Sequence, residues 1–246
     1  MSRRWLPGLL CLCLHGTASA DGLPAADEIV AKVEAADRGR RASMPGYSAV
    51  RHYAVENTRF KVKASMTVKV EVDHLGMKRF QVQEVSGPAA VRKLVFQRML
   101  DTEAKASSRD AQASSRISRE NYSFRLLEQT TAQGRPQYVL EAEPKSVNPL
   151  LFRGRMWVDA ESSAVVRIEG APAQNPSFWV KKTHFIHEYV ETNDQWMASS
   201  NRSESDIRIF GKSVVTIRYG DYVFRPAAQG SNTAGDPDPA RIEKSR

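Results

Sequence analysis

Between Phe60 and Val72 the chain alternates without a break. Phe60, Val62, Ala64, Met66, Val68, Val70 and Val72 share one side, and Arg59, Lys61, Lys63, Ser65, Thr67, Lys69 and Glu71 share the other. Successive side chains of an extended strand point to opposite faces, so the pattern predicts one long strand with a dry face and a wet one. His74-Leu75-Gly76 reads as its turn and Arg79 to Val85 as the return strand. Helical periodicity appears twice. Ile29, Val30 and Val33 recur at that spacing, with Asp27 and Glu28 in the first turn, Arg38, Arg40 and Arg41 at the end, and Met44-Pro45-Gly46 as the stop. From Gly87 to Ala106 a second helix opens with Pro88. It carries Val91, Leu94, Val95, Met99 and Leu100 on one side, and Arg92, Lys93, Asp101 and Lys105 on the other. The Ser-, Arg- and Ala-rich run from Ser107 to Asn121 either extends this helix or forms a mobile connection.

Strands then resume as a meander. Tyr122 to Thr131 and Gln137 to Ala142 flank a turn at Gln133-Gly134-Arg135-Pro136. Gly154 to Asp159 and Ala164 to Glu169 flank another at Ala160-Glu161-Ser162-Ser163. Lys181 to Glu191, Gln195 to Ile209 and Lys212 to Phe224 complete the set. The fold class is α+β, mostly β. A flat antiparallel sheet of about ten strands would expose long edges and a wide apolar face, so a single large sheet is expected to curl into a half-barrel with helices over its concave face.

The first twenty residues alter this picture only by leaving it. Arg3 and Arg4 precede an apolar stretch from Trp5 to Leu14, and Thr17-Ala18-Ser19-Ala20 supplies small residues before a cut after Ala20. Export by the general or the twin-arginine route is open. The cut removes Cys11 and Cys13, the only two cysteines of the 246 residues. The expected organisation is a signal peptide over 1–20, one domain over 21–225 and a disordered tail over 226–246, where Pro, Ala, Gly, Asn and Asp dominate. No apolar run reaches the roughly 18 residues of a membrane span, so the chain is not expected to be integral to a membrane. Net charge is +8 and falls to +6 with the leader, because Arg3 and Arg4 leave and no acid does. The bases are scattered among acids, as in Lys69-Val70-Glu71, so no nucleic-acid partner is expected; a mild attraction to anionic headgroups is the other reading.

Catalytic signatures are missing: no Gly-x-Ser-x-Gly elbow, no phosphate-binding glycine loop and no mature cysteine nucleophile. His184 and His187 sit three apart on a strand, which sends them to opposite faces, and no metal site is expected. His52 and His74 stand alone, and Asp159 and Glu161 flank a tight turn where acids serve the backbone. What remains is apolar surface. The strand side chains Val62, Met66, Val68, Val70, Phe80 and Val82, the helix side chains Val91, Leu94, Val95 and Met99, and Phe124 and Trp157 of the meander either form a plain core or line a pocket for a long apolar ligand. Phe178-Trp179, in the loop after Pro172 and Pro176, either docks on a partner or membrane surface or folds back onto the sheet.

The order of elements, the stretch Gly154-Arg155-Met156-Trp157-Val158-Asp159-Ala160-Glu161-Ser162 followed by Val165-Val166-Arg167-Ile168-Glu169, and the closing Ile217-Arg218-Tyr219-Gly220-Asp221-Tyr222 resemble outer-membrane lipoprotein-sorting proteins of the LolA/LolB type. The resemblance spans about Ala25 to Phe224. It implies an eleven-stranded half-barrel closed by helices over a hydrophobic cavity, which in the carriers holds lipoprotein acyl chains in the periplasm, with no cofactor and no catalytic residue. By position, Arg79 looks like the arginine that holds the lid helix. Where the carriers continue with a strand, Gly87 to Ala106 here reads as a helix. The expectation is a non-enzymatic periplasmic carrier of lipid or lipoprotein acyl chains that acts in outer-membrane lipoprotein sorting and meets an inner- or outer-membrane protein partner. The alternative is an envelope scaffold or stress-sensor module on the same fold.

Overall fold

The computed structural model describes residues 22–175 and 178–225; the expected leader and tail lie outside the described residues. Ten strands run β1 (Tyr47–Asn57), β2 (Val62–Val72), β3 (Lys78–Ser86), β4 (Tyr122–Ala132), β5 (Arg135–Pro144), β6 (Phe152–Asp159), β7 (Val165–Pro172), β8 (Val180–Thr192), β9 (Gln195–Ile207) and β10 (Gly211–Phe224). They form one open antiparallel sheet in the order β3-β2-β1-β10-β9-β8-β7-β6-β5-β4. Because β1 pairs with β10, the two edges are β3 and β4, which are consecutive in sequence. The connection between them must cross the breadth of the sheet. It does so as helix, as the 3.6-residue period of its apolar side chains requires.

Helix α1 covers Ala26–Ser43. Helix α2 is continuous over 89–106: an α turn at Ala89–Val91, a π-helical turn at Arg92–Phe96 and an α segment at Gln97–Ala106. Helix α3, Arg109–Ser114, begins where the Ser108 hydroxyl accepts from the Ala111 amide, so the run after Ser107 is a separate short helix rather than an extension. Gly87 provides the bend into α2: its φ is +102°, and a Cβ there would strike Ala64 of β2.

Both long helices lie on the same face of the sheet, here the inner face, and each makes its own core. Ile29, Val30 and Val33 of α1 pack on Tyr122, Leu140, Met156, Val158 and Ile168. Phe96 and Leu100 of α2 pack on Tyr53, Val55, Met66, Val68, Val70 and Val72. The sheet is the predicted one in class and direction. Two details differ. The alternation of β2 begins at Val62, because residues 58–61 make the turn with Lys61 at φ +52°, so Phe60 is half-exposed at a tip. Ten strands are present among the described residues, one fewer than the resemblance implied.

Candidate functional site

The apolar wall stands where alternation placed it. Met66, Val68 and Val70 point inward from β2, and Val68 and Val70 have no exposed surface. Phe80 of β3 stands opposite Val70 and joins the same cluster, as do Val91, Val95 and Met99 of α2. Val62 is half-buried at the start of β2. The remaining predicted residues part company. Val82 and Leu94 are 47% and 54% exposed at the junction of β3 and α2, so they rim the wall rather than line an enclosed space. Phe124 packs in the α1 cluster, on the other half of the sheet. Trp157 lies between the inward-facing Met156 and Val158 and therefore points outward, with the Arg167 guanidinium 5.3 Å above its ring. The Trp157 expectation is thus corrected: its indole belongs to the outer face.

Arg79 is corrected as well. It is exposed and stands opposite Glu71, on the outer face. The helix is held instead by Arg51 of β1 and Lys78 of β3. Arg51 Nη1 donates to Glu103 Oε1 of α2 at 2.6 Å, and Lys78 Nζ donates to the same oxygen at 2.8 Å. Arg51 is inward because β1 alternates as Ala49, Arg51, Tyr53 and Val55, and it is 5% exposed. Its guanidinium lies 5.0 Å from the Tyr219 ring and 6.0 Å from that of Phe80. Burial disfavours charge on Glu103, but Lys78 and Arg51 outweigh it and hold the carboxyl below the usual range; burial likewise opposes charge on Arg51 and Glu103 overcomes it. The trio escaped sequence reasoning although it left a signal. A charged residue occupies an inward position of β1, and an acid falls three and four residues after Leu100 and Met99 on the apolar side of α2.

Next to this node, His187 of β8 stacks between Tyr189, 4.6 Å away between centroids, and Tyr219, 5.9 Å away. Asn201 Nδ2 lies 3.2 Å from His187 Nδ1 and can only donate, so Nδ1 accepts; the buried Nε2 has no partner. Burial, then the Arg51 charge, lowers this imidazole from 6.5 to about 4, so it is neutral near pH 7. His184 is exposed on the opposite face beside Glu169. Asp159 does what a turn acid does. Arg135 Nε donates to it at 2.7 Å, and the amide and hydroxyl of Ser162 donate at 2.8 and 2.7 Å; against the opposing effect of burial these donors bring it down to about 2.

The open space lies mainly under the end of α1 and meets the wall only at its Val72 end. A cleft of about 290 Å³ between the end of α1 and the sheet includes Val33, Asp37, Arg40, Gln112, Tyr189 and Trp196. It adjoins one of about 340 Å³ reaching Tyr47, Val72 and Lys78. A third, of about 490 Å³, is rimmed by Arg38, Arg41, Arg116 and Arg119. The expected hollow along β2 is filled by the protein's own Phe96 and Leu100. No helix of the described residues is long and apolar enough to cross a membrane.

No family model matches the chain, and no curated protein matches its sequence. Solved structures do match. A DUF1329 family protein from Desulfovibrio piger is 12% identical, with 80% of this chain and 93% of that one covered and a TM-score of 0.45. A protein described as an outer membrane lipoprotein-sorting domain, from Vibrio parahaemolyticus, is 13% identical over 83% and 94%, with a TM-score of 0.42. A LolA superfamily protein from Nitrosomonas europaea is 10% identical over 83% and 95%, with a TM-score of 0.39. Likenesses of this degree concern chain path and say nothing of ligand.

Proposed function

We propose that the protein is an exported, non-enzymatic envelope carrier that takes an acyl chain of a lipid or lipoprotein onto the inner face of β1–β3 when α2 lifts. The observation that supports this reading is a continuous apolar wall covered by one helix whose charged attachment to the sheet converges on a single carboxylate, Glu103. The first half of that helix has no charged attachment to the sheet: it contains the π-helical turn and the exposed Leu94, and Phe96 anchors it by burial alone. Uncovering the wall sacrifices the burial of Phe96 and Leu100, roughly 5 kcal/mol together, and about six buried methylenes of a ligand offset that. A longer acyl chain therefore competes with the lid. The test is native mass spectrometry and fluorescent fatty-acid uptake by the mature chain purified without detergent. Bound lipid, with uptake increased by Glu103→Gln, is the expected result. If neither the parent nor Glu103→Gln carries or takes up lipid, the reading fails.

A further inference from the structure

One end of the sheet gathers exposed apolar side chains among cations. Three segments meet there: 58–61 between β1 and β2, 206–212 around the turn between β9 and β10, and 178–182 leading into β8. Phe60, Phe178, Trp179, Ile209 and Phe210 are 52%, 74%, 53%, 65% and 51% exposed. The aromatic rings pair. The Phe60 and Phe210 rings lie 5.7 Å apart, the Phe178 and Trp179 rings 5.8 Å apart, and Arg208, two residues before Phe210 in the same turn, holds the second pair. Its amide donates to the Trp179 carbonyl at 2.7 Å and its Nε to the Phe178 carbonyl at 3.1 Å. The alternative in which Phe178 and Trp179 fold back onto the sheet is thereby corrected: their exposure places them on the surface.

Charge completes the pattern. The same segments contain Arg59, Lys61, Lys181, Lys182, Arg208 and Lys212, all exposed, against one carboxylate, Asp206. Arg59 and Arg208 lie over the rings of Phe60 and Phe178, at 5.8 and 4.7 Å, so aromatic and cationic groups occupy one surface. The backbone is also committed to this display. Ile209 is a β-branched residue at φ +73°, a conformation that costs free energy and here puts an apolar side chain into water. A core residue would recover that cost by burial, and this one does not.

We propose that this tip docks on an anionic lipid bilayer, the aromatic and isoleucine side chains entering the headgroup layer while the six cations meet lipid phosphates. A protein partner of ordinary interface chemistry fits less well, because the apolar groups are spread over three hairpin tips and interleaved with like charges that only an anionic surface neutralises together. The inference does not depend on the carrier reading, since no residue of the tip belongs to the cluster under α2 or bonds to Glu103.

Co-sedimentation of the mature chain with vesicles tests it. Vesicles of phosphatidylcholine mixed with phosphatidylglycerol should bind the protein, phosphatidylcholine alone should bind it weakly, and added salt should weaken the first. Lys181→Glu/Lys182→Glu/Arg208→Glu should lower binding by about 100-fold or more, and Phe178→Ser/Trp179→Ser/Phe210→Ser by roughly tenfold. Arg38→Glu/Arg109→Glu/Arg116→Glu, which makes the same change of net charge at the other end, should retain it. Thermal melts identify any triple variant that does not fold, and the other then decides. Failure to bind anionic vesicles, equal binding to neutral ones, or equal loss in the distal control overturns the proposal.

Discussion

Glu103 concentrates the strongest residue-scale consequence, because two cations share one of its oxygens. Its removal leaves Arg51 buried without a counter-charge, and Glu103→Ala is expected to cost about 3–5 kcal/mol in urea denaturation. Arg79→Ala, on the exposed outer face, should stay within about 0.5 kcal/mol. His187 yields a pH dependence of definite sign. Its folded value of about 4 lies below its ordinary 6.5, so as pH falls through 6.5 the unfolded chain takes up a proton that the folded chain refuses. Stability should therefore decline from about pH 6.5 toward pH 4, and His187→Gln should flatten the part of that decline above pH 5. The charges that act on His187 are Arg51, Lys78 and Glu103 on the inner face and Glu188, the next residue of β8, on the other. Of these, Glu103 is held, against the opposing effect of burial, below the usual carboxylate range by Lys78 and Arg51, so the window above pH 5 reports the imidazole rather than Glu103. An unchanged slope in the variant would refute the assignment.

At the scale of elements, β6 and β7 approach most closely at Gly154 and Gly170, which pair directly. A Cβ on Gly154 would collide with the Glu169 carbonyl, and that is the physical need behind the glycine that opens the Gly-x-x-Trp-Val-Asp stretch. Gly154→Ala should destabilise by more than about 2 kcal/mol in chemical denaturation, with β6 and β7 losing amide protection first. Helix α2 should be uneven along its length. The half containing Leu100 and Glu103 is fastened by burial and by charge, whereas the half containing the π-helical turn and the exposed Leu94 is held by burial alone, chiefly of Phe96. Amides of 89–96 should therefore exchange faster than those of 99–106, and uniform protection would contradict a lid that opens from its first turn.

Over the whole molecule the inner face divides into two cores with no shared residue, one under α1 and one under α2. Between them the inner positions of β8 and β9 include the polar residues Thr183, His187, Asn201, Ser203 and Ser205, none of which belongs to either apolar cluster. Separation of that kind makes the energetics additive. Val30→Ala and Val68→Ala in one chain should sum to within about 0.5 kcal/mol, and a larger coupling in the double-mutant cycle would mean that the halves pack as one core. It also explains how one half could uncover its wall while the other preserves the sheet.

What the sequence by itself determined is local and periodic. Alternation set the inward side of β2, helical spacing set α1 and the helix in place of a strand after Gly87, and turn chemistry assigned Asp159 to the backbone. Alternation also contained the outward direction of Trp157, which sits between two inward residues. The tertiary structure alone decided what depends on distance between remote residues. Arg51 meets Glu103 across 52 positions, and neither carries a local mark of its partner. Whether the wall along β2 is hollow depended on how closely α2 lies over it, and Phe96 and Leu100 close it. The aromatic tip exists only because the sheet brings three separate turns to one end. A periodic pattern reports which way a side chain points, since that follows from the backbone within a few residues, whereas the group it meets there follows from the folding of the whole sheet.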